Sequence, residues 1–434
     1  MSIETIKLEG KKLLLLGGSA LICDVITTAR FMGIETLITD WYPVEKSPGK
    51  KVADKYFMVS TADVDAVVQL IKTEKIDGVL TGFTDSTLPY YQKVCEKAGL
   101  PCYANAQQID ITTNKIKFKE LCHVFDVPVV EEYEIDASLN IKQLSRIKYP
   151  VIVKPVDNSG GRGISICYNQ KELKTAYQKA LTFSERGSVI VERYMTGKEV
   201  TIFYLLQDGN IHLTLMGNRH VKRNQEGVIP LPVAYTFPSI YLPAFQGNIN
   251  KKVIKMFKHV GMQNGMVFIQ SFVENGECIF YEMGYRLTGS LEYKIIEKLN
   301  GINPMEMMIS HALTGNMGFD GDRVSFNPNH KLFGCNITFI ARPGRIGKIV
   351  GLEKVIAIPG VIDVVPTYKE GDIVHESVRG TLKQVVVRAF ATAETKAELA
   401  SIMDKIHNSI DVVSTEGESM LLGKFDVKDL FNEI

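Results

Sequence analysis

The sequence predicts a mixed chain, α/β at its start and α+β beyond, and three observations carry that prediction. Short apolar runs alternate with helical spacing over about the first hundred residues, a hairpin with a glycine-rich tip follows near residue 160, and the last stretch is β-rich. Strand–helix alternation implies a doubly wound parallel sheet, because each parallel connection needs a crossover. The expected parts are residues 1–110 (doubly wound), 111–325 (a central domain with a mobile lid at about 130–194) and 326–434 (β-rich).

A chain of 434 residues, 45% hydrophobic and 23% charged, has the length of about three domains and can bury a large core. Its net charge of +1 supplies no field that would draw it to nucleic acid or to an acidic membrane. No apolar run approaches the ~18 residues of a membrane span, and Leu13–Leu16 before Gly17-Gly18 is too short for a secretory leader. The seven cysteines are dispersed, without CxxC spacing. They read as reduced thiols of a cytoplasmic protein, not as a disulfide frame or a zinc site.

Lys12–Leu16 is an apolar strand, followed by a helix over Ala20–Phe31, a strand over Ile34–Thr39, a helix over Asp63–Thr73 and a strand over Ile76–Leu80. A helix over Ser86–Ala98 leads to a short strand near Cys102. Asp40 sits where a ribose-binding acid would in a dinucleotide fold, but Gly17-Gly18-Ser19-Ala20 lacks the GxGxxG pattern that brings backbone against a pyrophosphate, which disfavours that reading. There is no GxxxxGK[ST] segment either. Thr112, Thr113 and Asn114 are N-cap candidates for a helix over 112–125 with the stripe Ile116, Leu121, Val124. Lys115 then falls in the first turn, where the macrodipole favours acids, so it is either placed for a ligand or simply solvated.

The centre of the chain is YPVIVKPVDNSGGRGISIC, Tyr149–Cys167. Two β-branched runs, Val151–Val153 and Ile164–Cys167, flank a loop with Gly160, Gly161, Arg162 and Gly163. Glycines let backbone N–H groups approach an anion, Arg162 adds a cation, and Lys154 ends the first strand beneath them. The reading is a phosphate-covering lid; a solvated turn is the alternative. After a helix over Lys171–Leu181 and a strand over Ser188–Glu192, Glu192-Arg193-Tyr194-Met195 crosses to the next strand, opened by Glu199. Exposed backbone edges there suit an adenine, and a carboxylate suits ribose hydroxyls.

Met266–Val273 and Cys278–Met283 form a hairpin through Glu274–Glu277. Gln270 lies four residues before the turn and Glu282 five after it, so the two come side by side; oxygen donors there suit Mg²⁺. Period-two alternation puts Glu282, Gly284 and Arg286 on one face. Helical spacing returns over Glu292–Leu299 and Pro304–Leu313. From about Lys331 the pattern is β-rich, with Gly334–Ile340, Gly347–Val350, Gln384–Phe390 and a helix over Lys396–Ile406. No motif stands out there, and Pro343-Gly344-Arg345 and Arg388 read as structural.

Taken together, the lysine-bearing helix, the YPVIVKP…GGRG lid, the ERYM hinge with its following Glu199, and EMGYR resemble the ATP-grasp ligases over most of the chain. The added β-rich end is similar to that of biotin carboxylase, the carboxylating purine-pathway ligases and bacterial L-amino-acid ligases. The resemblance implies that Lys115 and Lys154 meet ATP phosphates beneath a lid of Ser159, Gly160, Gly161, Arg162 and Gly163. It implies adenine contacts from Glu192, Arg193, Tyr194 and Met195, ribose contacts from Glu199, and Mg²⁺ held by Glu282 and Gln270. Lys154 and Arg286 become the catalytic pair, with Arg286 holding an anionic substrate or intermediate.

The reaction so implied is ATP-dependent ligation of a small-molecule carboxylate and an amine through an acyl phosphate, releasing ADP and phosphate, in an enzyme that is a homodimer by analogy. Residues around Arg219–Tyr235 and Leu287–Tyr293 form the expected specificity surface. The chain departs from the family where Gln270 replaces a glutamate and Gly284 an asparagine-like ligand. Two alternatives stay open: a carboxyphosphate-forming carboxylase with a separate acceptor, and a nucleotide-binding protein without ligase turnover.

Overall fold

The computed structural model describes residues 8–135, 138–157, 161–223, 230–318 and 326–431. Ser159 and Gly160 of the expected lid lie outside the described residues.

Near the N-terminus β1 (Lys12–Leu16), β2 (Glu35–Thr39), β3 (Lys55–Phe57) and β4 (Gly78–Thr81) form a parallel sheet in the order β3-β2-β1-β4. Leu13–Leu16 are buried, as expected of a parallel strand covered on both faces by helices. The helices α1 (Ile22–Phe31), α2 (Val64–Glu74) and α3 (Leu88–Ala98) follow its strands, and the later helix Pro304–Thr314 also packs on β1 and β4. Asp40 is spent within this unit: it takes the Lys50 ammonium at 2.8 Å, the Ser47 hydroxyl at 2.7 Å and the Tyr42 N–H at 2.8 Å. The dinucleotide reading therefore has no free acid.

No strand forms near Cys102. Asn105 and Gln108 instead make a reciprocal capping box, which starts α4 (Ala106–Thr113). Asn114 then breaks the chain and caps α5 (Lys115–Val124), its side chain accepting from the N–H groups of Ile116 and Lys117 at 3.0 and 3.3 Å. Starting the helix at Lys115 turns Phe118, Leu121 and Cys122 inward and leaves Val124 69% exposed, so the apolar stripe differs from the expected one.

The lid region is an antiparallel sheet of β5 (Glu132–Tyr133), β6 (Val151–Pro155), β7 (Ser165–Cys167) and β8 (Val189–Arg193), in the order β5-β8-β6-β7, with helices α6 (Ile141–Leu144) and α7 (Gln170–Leu181). Its apolar residues, among them Val151, Val153, Leu173, Tyr177 and Val191, close on one another as a core separate from the main one.

The remaining strands are β9 (Lys198–Gln207), β10 (Asn210–Lys222), β11 (Leu231–Phe237), β12 (Gly265–Glu274), β13 (Glu277–Tyr285), β14 (Phe333–Ile340), β15 (Gly344–Val350), β16 (Val361–Pro366), β17 (Ile373–Val374), β18 (Val385–Ala393) and β19 (Asp411–Ser414). Eight of them share one sheet, β13-β12-β9-β10-β11-β14-β18-β16, and β17-β15-β19 form a small second sheet. The large sheet runs unbroken from the central part into the C-terminal part, joined where Ala234–Phe237 of β11 pair with Gly334–Ile337 of β14. No helix of the described residues is long and apolar enough to cross a membrane.

Candidate active site

A cavity of 1120 Å³ lies where the N-terminal loops, the lid sheet, the large sheet and the C-terminal strands meet. Ligand pockets for one small molecule run to roughly 1,000 Å³, so the cavity is roomy enough for a molecule of nucleotide size. Lys115, Lys154, Gly161, Arg162, the run Glu192–Met195, Glu199, Gln270, Glu282 and Arg286 all line it. Gly163 does not. It has φ +76°, and an added Cβ would lie 2.8 Å from Phe183 and 2.9 Å from Pro155, so close packing, not a ligand, calls for glycine there.

The two lysines reach the cavity from elements that are tied together. The Lys115 N–H at the start of α5 donates to the Val156 carbonyl at 3.1 Å, just past β6. Lys154, on β6, is 5% exposed. Glu192 on β8, expected at the adenine, is 1% exposed and ion-paired to both Lys154 and Lys119. Lys119 also donates to the Val130 carbonyl at 2.8 Å. Burial acts to raise the Glu192 carboxyl, but the two ammonium groups outweigh it and hold the group below the usual range. What the hinge leaves for a base is therefore backbone, since its neighbour Arg193 is also spent, on Glu274 at 2.9 and 3.0 Å. The Tyr194 hydroxyl accepts from Arg223. Lys119 was not singled out from the sequence; the signal was present, because it follows Lys115 by one helical turn on the same face.

Across the cleft, Glu199 at the start of β9 pairs with Arg219 of β10, its register partner, and accepts from the Tyr281 hydroxyl at 3.1 Å. The Tyr281 ring in turn lies 5.8 Å from the Lys154 ammonium.

Gln270 and Glu282 are register partners on β12 and β13. The unequal offsets from the turn are absorbed by a β-bulge: Ser271 pairs with Phe280, leaving Tyr281 as the extra residue. Glu282 also lies 3.6 Å from the Lys115 ammonium. Gly284 adds no donor, and an added Cβ would sit 2.2 Å from the Phe268 ring, which fills that space. No group of three His, Cys, Asp or Glu side chains able to hold a metal occurs among the described residues. One carboxylate and one amide oxygen fit a Mg²⁺ that takes most of its ligands from phosphate and water; they do not form a protein cage.

Arg286, expected to hold an anion, is instead engaged by Asp85 of the N-terminal unit, Nε and Nη2 each donating at 2.6 Å. Its Nη1 donates to the Leu287 carbonyl at 2.9 Å, and the guanidinium lies 5.0 Å from the Phe268 ring centre. An incoming anion meets a neutralised pair. Arg388, read from the sequence as structural, lines the cavity from β18, whereas Arg345 caps the Gly371 carbonyl at 2.8 Å away from it.

The fold and this cleft define a nucleotide-dependent ligase architecture, and comparison with known proteins fixes the family. The profile of the carbamoyl-phosphate synthase L chain ATP-binding domain matches residues 114–317, and that of the L-amino acid ligase C-terminal domain 2 matches residues 337–415. The formate-dependent phosphoribosylglycinamide formyltransferase of Sulfurisphaera tokodaii is 31% identical over 379 residues, covering 83% of this chain and 89% of that protein. The L-amino acid ligase of Bacillus licheniformis superposes with a TM-score of 0.76 at 19% identity, over 94% of this chain and 99% of that one. The biotin carboxylase domain dimer of Hydrogenobacter thermophilus 2-oxoglutarate carboxylase, in complex with MgADP, ADP and bicarbonate, does so with a TM-score of 0.72 at 18% identity, over 95% and 91%. The chain belongs to the ATP-grasp ligases. It is an enzyme of that class.

Proposed function

We propose that the protein is an ATP- and Mg²⁺-dependent carboxylate–amine ligase that forms an amide or peptide bond through an acyl phosphate. One arrangement carries the reading: Lys115, Lys154 and Glu282, from a helix and two different sheets, line the same cavity. A carboxylate repels nucleophiles by its own charge; transfer of the γ-phosphoryl group to it makes an acyl phosphate, from which an amine then displaces phosphate. In this reading Lys115 and Lys154 neutralise the phosphates, Gly161 and Arg162 cover them, the Tyr194–Met195 backbone meets adenine, and Glu199, already oriented by Arg219 and Tyr281, takes the ribose. Glu282 and Gln270 would hold Mg²⁺, which supplies charge neutralisation on the phosphate oxygens.

Exclusion of water matters twice. A lysine about 4 Å from a phosphate charge is worth roughly 4 kcal/mol at an effective dielectric of 20 but about 1 in bulk water. The acyl phosphate must also outlast the wait for its amine. Release of ADP and phosphate is to be measured with a panel of amino acids, with bicarbonate and with no acceptor, and hydroxylamine is to be used to trap an acyl hydroxamate. Amino-acid-dependent release with a trapped hydroxamate is expected. Release with bicarbonate alone would move the assignment to a carboxyphosphate-forming enzyme. Tight nucleotide binding with no release under any condition would move it to a protein without turnover, the reading that Gln270 and Gly284 favour.

A further inference from the structure

Among the described residues, four buried basic side chains stand in the cavity wall: Lys115, Lys154, Arg286 and Arg388. The first three each have a carboxylate within ion-pair distance, from Glu282, Glu192 and Asp85 respectively. Arg388 has none among the described residues. It is 3% exposed, and its hydrogen bond is to the Thr338 hydroxyl, donated from Nη1 at 3.0 Å. Burial lowers its pKa from the ordinary arginine value; Tyr235 and Glu292 act from a distance in the opposite sense and Arg219 adds to the lowering. A buried guanidinium with one of its donors used is an unfavourable arrangement unless an anion arrives.

The neighbourhood fixes which end of the ligand space it serves. Asn336 and Thr338 share one face of β14. Asn336 donates to the Ser290 carbonyl at 2.7 Å and Thr338 holds Arg388, so Arg388 stands beside the loop that follows Arg286. It lies four strands from β9 in the sheet order, roughly 19 Å at ~4.8 Å per strand, away from the strand of Glu199. The planar fork of a guanidinium matches a carboxylate with two parallel hydrogen bonds.

We propose that Arg388 is the receptor for a free carboxylate on the amine substrate, so that this substrate is an amino acid. The inference rests on the ligase reading above and names its second substrate. It is tested by calorimetric titration of the full chain with the twenty L-amino acids, their methyl esters and O-phosphoethanolamine. Each titration is run with and without Mg²⁺ and a non-hydrolysable ATP analogue. At least one amino acid is expected to bind, with its methyl ester at least tenfold weaker. Arg388→Met should weaken the acid at least tenfold, leave the ester unchanged, leave the affinity for the ATP analogue within twofold, and melt no lower than the parent protein, because it removes an uncompensated buried charge.

Arg388→Lys, which keeps the charge and loses the fork, should fall between the two. Failure of every amino acid to bind, binding of phosphoethanolamine instead, equal affinity in Arg388→Met, or a lowered melting temperature in that variant would each overturn the assignment. Failure of the ATP analogue to bind the parent protein would strike the ligase reading alone, since the nucleotide-free titrations still read Arg388.

Discussion

The lid sheet and the large sheet face each other across one cleft and hold their charges differently. On the lid side a buried carboxylate, Glu192, is shared by two lysines, and Lys119 also meets Glu132 at 3.6 Å, so acids and lysines form one shared network beside a small self-contained core. On the other side the charges are matched one to one, Glu199 with Arg219 and Asp85 with Arg286, until the sheet reaches Arg388. The contrast separates two tasks. A network in which lysines share their acids close to the hinge suits a polyanion that enters and leaves, because a lysine can exchange one partner for a phosphate. Matched pairs keep acids and arginines in fixed orientation without drawing anions along the whole sheet.

The largest effect expected from breaking this contrast is on turnover. Lys154→Ala removes one of the two lysines yet leaves Glu192 with Lys119, so the fold should survive while ADP formation falls by about 10²-fold or more. Steady-state rates beside a thermal melt decide it, and full turnover would refute the role of Lys154. Next in size is the rim of the large sheet. Gly284→Asn drives a side chain into the Phe268 ring and should cost about 1–3 kcal/mol of stability. The same substitution should cost much less when made in a Phe268→Ala background, which is itself destabilised by loss of the buried ring. Urea unfolding of both single variants and the double measures this; a fully stable Gly284→Asn variant would mean that the ring does not keep the position bare.

The smallest effect is on acid stability. Because the Glu192 carboxyl is held low in the fold, its contribution is present above the unfolded value of about 4.3 and is lost as pH falls from there through the folded value. Glu192→Gln should flatten that acid limb in denaturation midpoints taken between pH 3 and 7. An unchanged limb would assign it to other carboxylates.

Local signals made much of this visible in the sequence. Alternating apolar runs gave the parallel sheet, proline and glycine bounded the lid hairpin, and the offsets around Glu274–Glu277 brought Gln270 beside Glu282 once the bulge is counted. Long-range pairing was not visible. Asp85 and Arg286 lie 201 residues apart, and nothing local marks either as the other's partner. Glu192 is given to adenine by the resemblance, and nothing local marks Lys119 and Lys154 as its partners, because they come from two other elements, α5 and β6. Arg388 did carry a signal that was passed over: it is the one charged residue in Val385–Ala393, all of which is buried, and a lone arginine inside such a strand needs a reason.

The pairing of β11 with β14 also bears on how far the protein can be divided. Cutting the chain between them would leave β11 with a row of bare N–H and C=O groups along an apolar, wholly buried strand, the kind of open edge that recruits other chains. The C-terminal segment is thus the seal on the catalytic half's sheet as well as one wall of its cleft. Shuffling such ends between relatives would have to graft a matching strand together with any new pocket.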